Sequence, residues 1–300
     1  MVVDSPIGSK LQGGIEPQPD PALFRIRDLI YQNAGIFHPD HKLRLLGDRC
    51  DKRMQELGVD SPRDYLHLLV SPTTGTTELI KLLNEVTVGE TCFFRNQAQL
   101  DGLCNVVLPK ITQARVGSPV RHVRVWSAGC SSGEEPYTLA MLLLEQQARL
   151  LKGWSFEVIA TDLNDRALQT AEEGEYGEYS LRNVNGYYRQ KYFEPAGEKL
   201  RVRDPVRACV SFRRLNLLDD AHTVAIKNID LIFCCNVLIY FDTASKRRVL
   251  RRFYENLLPH GYVFLGYSES MFGITDDFRL VHLPSATVYA KAEHRKAGGA

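Results

Sequence analysis

From about residue 120 the chain alternates between two patterns, and that alternation limits the possible folds more than any other feature. The strand-like runs "VRHVRVWSA", "FEVIATDL", "IDLIFCCNV" and "YVFLGYS" are separated by the helix-like runs "EEPYTLAMLLLEQQARLL", "NDRALQTAEEG" and "TASKRRVLRRFYENLL". Strands alternating with helices imply an α/β fold with a mainly parallel sheet covered on both faces. The grammar changes at the end, where "FRLVHL" and "ATVYAKA" flank Pro284 and Ser285 and predict an antiparallel terminal hairpin that closes the sheet. Residues 177 to 214 interrupt the alternation. There "KLRVRD" and "ACVSFRRLN" are expected as short strands of an inserted β-subdomain, about 179–214.

The first part of the chain reads differently. "DPALFRIRDLIYQNAGI" offers Asp20 as N-cap, Pro21 at the first helical position, an apolar stripe of Leu23, Ile26 and Ile30, and Gly35 as the stop. "HKLRLLGDRCDKRMQELG", "SPRDYLHLLV" and "TTELIKLLNEV" continue the helical series without a strand signal. The expected division is a disordered tail at 1–19 and an all-α N-terminal domain at 20–88. A linker at 89–118, the α/β domain at 119–292 and a second loose tail at 293–300 complete it.

Composition excludes several classes. No apolar run approaches the roughly 20 residues of a membrane span, and the opening "MVVDSPIGSKLQGG" lacks a basic-then-apolar secretory signal. A net charge of +1 gives no global pull toward nucleic acid or lipid. The seven cysteines include no CxxC pair and are odd in number, which disfavours a disulfide scaffold or a zinc site. Reduced thiols, no metal and a cytoplasmic location are therefore the expectation.

The stretch "VWSAGCSSGEEPYTLAMLL" carries the first functional signal. A strand, a small-residue turn and a helix usually receive phosphate, because helix N-terminal amides attract anions. Here Glu134 and Glu135 stand where the anion would sit, and the turn AGCSSG is neither GxGxxG nor a Walker A loop. The acids make sense for a cationic ligand, and S-adenosylmethionine joins a sulfonium and an ammonium to a sugar and a base. In "IATDLN", Asp162 lies just beyond a buried strand, where an acid can accept from both ribose hydroxyls; it could equally cap the helix starting at Asn164. In "FCCNVLIYF", Asn236 is either a ligand-facing loop residue or a turn former.

Taken together, "TVGETCFFRN", "VWSAGCSSGEEPYTLAMLL", "IATDLN", "FCCNVLIYFD" and "LGYSES" resemble the CheR family of chemotaxis receptor methyltransferases, in order and spacing from about residue 21 to 291. The resemblance implies a class I S-adenosylmethionine-dependent methyltransferase domain, Rossmann-like, with a small all-α N-terminal domain and an inserted β-subdomain. It implies that Thr91 and Arg95 contact the methyl donor or frame the reacting centre, Arg95 having the alternative of a surface ion pair. It assigns Glu135, Asp162, Asn216, Leu217 and Asn236 to donor binding, and sets Tyr240 near the transfer site unless it is an amphipathic core tyrosine. Glu134 reads instead as a first-turn helix residue favoured by the dipole.

The reaction implied is methyl transfer to receptor glutamates, giving methyl esters and S-adenosylhomocysteine. A glutamate is already anionic at neutral pH, so no general base is needed. The resemblance also implies that the basic second helix meets an acidic receptor helix through Arg49, Lys52 and Arg53, with Arg49 and Arg53 projecting together beside Leu45 and Leu46; the alternative is a solvated basic face, and Gln55 stands where the family has a second key arginine, so the match is partial. Two positions depart from the family pattern: Gly89 replaces a common asparagine, and Cys235 replaces a usual arginine. The ribbon is short and lacks a glycine-rich loop, so recognition without a receptor's C-terminal pentapeptide is expected. The expected partner is the receptor's cytoplasmic domain, with no nucleic acid, no membrane insertion and a monomeric chain. Competing readings are a methyltransferase for another carboxylate or for RNA, a donor-binding signalling adaptor with little turnover, and a NAD oxidoreductase.

Overall fold

The computed structural model describes residues 19–293 apart from Val88; the expected tails lie outside this range but for their innermost residues. Four helices build the N-terminal unit: α1 (Pro21–Ala34), α2 (Leu43–Leu57), α3 (Pro62–Leu69) and α4 (Gly75–Val86). Their ends follow from capping chemistry. Asp20 accepts from the Ala22 amide and Ser61 from the Asp64 amide, while Gly35 and Gly58 stop α1 and α2 at φ 67°. Ile26, Ile30, Leu43, Leu46, Tyr65 and Leu82 fill a core of their own.

Residues 97–114, expected within a linker, are helical throughout. α5 (Gln97–Gly102) passes through a π-helical stretch at Leu103–Val107 into α6 (Leu108–Ala114). Pro109 has no N–H to give Asn105, and the widened turn just before it absorbs that loss. Leu100, Leu103, Val107, Leu108 and Ile111 are buried against the sheet, at helical spacing.

The α/β domain follows as β1 (His122–Ala128), α7 (Glu134–Gln147), β2 (Ser155–Asp162) and α8 (Asp165–Glu173). The insert comprises β3 (Glu175–Tyr176), α9 (Glu178–Leu181), α10 (Gly186–Tyr192), β4 (Phe193–Ala196) and β5 (Lys199–Val202), and leads into α11 (Asp204–Arg207). Then come β6 (Val210–Arg214), α12 (Asp220–Thr223), β7 (Ile229–Cys234), α13 (Thr243–Asn256), β8 (Leu257–Leu265), β9 (Phe278–His282) and β10 (Thr287–Lys291).

The main sheet runs β6-β2-β1-β7-β8-β10-β9, parallel from β6 to β8, with β10 antiparallel to both β8 and β9. The terminal hairpin is as the pattern implied. The ribbon is smaller than expected. β3, β5 and β4 form a separate antiparallel sheet, whereas Val210–Arg214 pairs parallel with β2 as the edge strand of the main sheet. β6 is only half-buried, so its composition reads like a ribbon strand although its pairing makes it part of the Rossmann-like core.

The two faces of β1 show how the layers form. Val123 and Val125 point into a core with α7, the 97–114 helix and the insert, while Trp126 and Ala128 face α13. Trp126 packs edge-on against Phe253 at 5.2 Å and gives its indole N–H to Thr161 at 2.8 Å. The chain winds from β1 outward through β2 to β6 and then returns to β7 on the other side of β1. The topological switch point therefore lies between β1 and β7, where open α/β sheets bind ligands.

Candidate active site

A cavity of about 450 Å³ opens at that switch point, beyond the carboxyl ends of β1, β2, β6 and β7. Its size suits a nucleoside-sized ligand. Thr91, Arg95, Glu135, Asp162, Asn216, Leu217, Asn236 and Tyr240 all line it, so every residue assigned to the donor or the transfer centre converges on one space.

The backbone around this cavity is strained. Phe94 (φ 52°), Ser131 (φ 49°) and Asn236 (φ 61°) are left-handed although none is glycine, and all three line the cavity. Such conformations cost free energy and gather where a site needs a particular backbone path. Gly129, at φ 84°, has no room for a side chain, because a Cβ would meet Val237 at 2.4 Å. The turn after β1 is thus pressed against the loop after β7.

Glu135, the second residue of α7, faces the cavity and accepts from Ser127 Oγ at 2.7 Å. Burial pushes its carboxyl up to about 7, outweighing the Ser127 and Cys235 hydrogen bonds that favour the anion. An acid held at that threshold is stabilised by an arriving cation, and a phosphate would oppose it. Glu134 points elsewhere: buried, it accepts from Ser132 Oγ at 2.7 Å and Ser180 Oγ at 2.8 Å, tying α7 to the insert.

Asp162 fastens two turns at once. Its carboxylate accepts from the Ser131 amide at 2.7 Å and the Asn164 amide at 2.9 Å. Burial raises its pKa against those hydrogen bonds. It does not cap α8, because Asn164 does so by accepting from the Ala167 amide at 3.0 Å. Two occupied lone pairs leave a carboxylate capacity for hydroxyl donors. Asn236 sits at a left-handed turn after β7, at φ 61°, and lines the cavity.

Arg95 lines the cavity with its guanidinium donating to the Glu90 carbonyl at 2.6 Å, and its charge acts on both Glu135 and Tyr240. The Tyr240 phenol is pushed up by burial first, so it stays a neutral donor at neutral pH. Of the two aromatics before Arg95, Phe93 is core, edge-on to Tyr176 at 4.8 Å, and Phe94 lines the cavity.

The departures at Gly89 and Cys235 have local partners. A Cβ at Gly89 would lie 2.0 Å from Ser131 Oγ, so the serine side chain fills the space that a larger residue would need. Cys235 lines the cavity beside Gln99 and Glu135, and burial holds its thiol protonated.

The basic helix α2 stands apart from the cavity, and one of its assigned residues changes role. Arg53 is 2 % exposed and forms a two-point ion pair with Glu78, at 2.8 and 2.9 Å. Glu56 and Tyr65 complete that network. Arg53 faces inward with Leu46, Cys50 and Met54, so it is a core ion pair and not a surface for a partner. Lys52 pairs with Glu85 at 2.7 Å, Glu85 also binds Arg166 of α8, and Arg49 is half-buried beside exposed Leu45.

Two contributions escaped the sequence reading. Ala34, Ile36 and Thr87 of the N-terminal unit form part of the cavity wall, and Asn216 donates to the Asn33 carbonyl at 2.6 Å. Glu269, within the quoted "LGYSES", accepts from the amides of Asn236 (2.7 Å), Gly266 (2.7 Å) and Ile239 (3.2 Å). It holds the loop carrying Asn236 and Tyr240. Its place in a motif was the only signal available.

A mainly parallel open sheet with an antiparallel terminal hairpin, and a cavity holding an acid at its switch point, make a Rossmann-like α/β fold of the kind found in class I methyltransferases. Comparison with known proteins then gives the particular family. The description "CheR methyltransferase, all-alpha domain" matches residues 21–87, and "CheR methyltransferase, SAM binding domain" matches residues 89–287. A "Chemotaxis protein methyltransferase 2" of Vibrio cholerae is 37% identical, covering 91% of this chain and 93% of its own. A "Chemotaxis protein methyltransferase" of Borreliella burgdorferi is 34% identical, covering 84% of this chain and 88% of its own. The chain belongs to the CheR family of S-adenosylmethionine-dependent methyltransferases. Among the described residues no helix is long and apolar enough to cross a membrane.

Proposed function

We propose that the protein methylates glutamate side chains in the cytoplasmic domain of chemotaxis receptors. A carboxylate oxygen of the receptor takes the methyl group, the sulfur–methyl bond breaks, and the products are a glutamate methyl ester and S-adenosylhomocysteine. S-adenosylmethionine supplies the methyl on a sulfonium, a leaving group that needs no protonation. One observation carries the reading: a single cavity combines a cation-ready acid, Glu135, with a guanidinium and a phenol, Arg95 and Tyr240.

In this reading Glu135 holds the donor's positive end, and Asp162 accepts from its ribose. Thr91, Asn216, Leu217 and Asn236 complete the nucleoside pocket. Arg95 and Tyr240 orient the acceptor carboxylate, Arg95 by a charge-assisted pair. No base removes a proton, because the acceptor arrives ionised. Rate enhancement then comes from positioning, which is worth roughly 7–11 kcal/mol in favourable cases. Arg49 and Lys52 remain the basic contacts for an acidic receptor helix, without Arg53. The two-residue turn between β4 and β5 accords with docking that does not use a receptor tail peptide.

The test uses labelled S-adenosylmethionine and the cytoplasmic fragment of a chemotaxis receptor. Base-labile counts should appear on the fragment, and Arg95→Ala should lower turnover at least tenfold while leaving the donor bound. Donor binding without any transfer would favour the adaptor reading.

A further inference from the structure

Single exposed apolar side chains are common on protein surfaces, but four large ones lie on segments that border the cavity or are hydrogen-bonded to its lining. Phe272 is 94 % exposed, Tyr267 70 %, Ile239 51 % and Phe37 49 %. Ile239 lines the cavity, and Phe37 donates its amide to the Tyr240 carbonyl at 2.8 Å. Tyr267 and Phe272 lie on the loop between β8 and β9, which rises from the same carboxyl edge of the sheet as the cavity.

This loop is anchored. Glu269 pins it to the Asn236–Ile239 segment, and Met271 is 2 % exposed with its amide toward Tyr289 Oη at 3.3 Å. Arg247 of α13 donates to the Ile274 carbonyl at 3.2 Å. With its neighbour Met271 buried, Phe272 is presented to solvent by a fixed turn. A phenylalanine held in water gains by burial against a partner.

We propose that Tyr267 and Phe272, together with Ile239 and Phe37 on the segments tied to the same loop after β7, dock the protein that brings the methyl-accepting carboxylate. This rests on the proposed function and adds the surface that delivers its substrate. The occupant is an amphipathic acidic helix, with the accepting glutamate central and apolar side chains one turn to either side. Two features select it. A glutamate side chain that enters the cavity must leave its backbone at the mouth, so neighbours three or four positions away fall on the rim. The guanidinium of Arg95, exposed within the cavity mouth, complements the acid at the centre.

The experiment compares wild type with Tyr267→Ser/Phe272→Ser and with Phe272→Trp, using the unmethylated cytoplasmic fragment of a chemotaxis receptor. Neither residue lines the cavity, so donor affinity by calorimetry and kcat at saturating fragment should stay within about twofold of wild type. The double serine variant should raise the KM for the fragment about tenfold, the order expected for losing aromatic anchors. Phe272→Trp should keep it near wild type. An unchanged fragment KM in the double variant overturns the docking surface, as does donor affinity falling in parallel. If wild type esterifies no glutamate on the fragment, the proposed function fails and takes the docking surface with it; the wild-type arm thus separates the two failures.

Discussion

At the scale of single residues, Glu135 gives the sharpest expectation. Its carboxyl is raised to about 7 in the folded chain, so it is half-protonated near neutrality, and only the ionised form attracts a cation. Donor binding must then expel a proton below that pH. Affinity for S-adenosylmethionine is expected to be level above pH 8 and to weaken as pH falls through 7 toward 6, by up to about tenfold per unit. Glu135→Gln should remove this slope, which titrations between pH 6 and 8.5 would measure.

Arg53 gives the second expectation. Arg53→Ala leaves Glu78 buried without its cation, which costs about 3 kcal/mol. Urea denaturation should show that loss, with the KM for a receptor fragment unaffected in the folded fraction. Stability within 1 kcal/mol of wild type would return Arg53 to the surface. Glu135 was legible because an acid in a small-residue turn conflicts with the usual phosphate ligand. Arg53 was not, because its charge run looks the same whether solvated or paired, and Glu78 lies 25 residues away on another helix.

Elements show which features composition conveys. The apolar run of β7, broken only by Asp230, and the alternating apolar pattern of β1 announced the central strands, and caps announced α1 and α3. Half-buried β6 did not reveal its partner, since pairing direction leaves no trace in a five-residue segment. The 97–114 helix carries an ordinary apolar period, but Pro109 in its interior reads as a helix break, which hides one continuous element from pattern reading.

The loop after β7 shows the same limit in the site. Asn236 stood out in an apolar run, whereas the carboxylate that holds it comes from 33 residues further on. Glu269→Ala leaves three amides to find water and frees a left-handed backbone. Donor affinity is expected to weaken about tenfold, with far-ultraviolet circular dichroism unchanged. Wild-type affinity in that variant would show that the loop holds its shape without Glu269.

Across the whole molecule, the helical unit and the sheet domain meet at the cavity itself. Asn164 Nδ2 reaches the Asn84 carbonyl at 3.0 Å and Thr87 Oγ1 at 3.0 Å, two residues from Asp162, and Glu85 joins Lys52 of α2 to Arg166 of α8. Tyr31 Oη of α1 donates to Asp242, the N-cap of α13, at 2.9 Å. Glu85→Gln combined with Asn164→Ala should therefore weaken donor binding several-fold without unfolding either part, as read by calorimetry and thermal denaturation. Two separate melting transitions with unaltered binding would show the parts to be independent.

The proposed function requires a switch-point crevice built for a cationic methyl donor and not for a pyrophosphate. Isothermal titration of the purified protein at pH 8 with S-adenosylmethionine, S-adenosylhomocysteine and NAD tests it most directly. Saturable binding of the first two is expected, weakened at least tenfold in Asp162→Ala, with no detectable heat from NAD. Binding of NAD in the same crevice, with no response to either sulfur nucleoside, would contradict it.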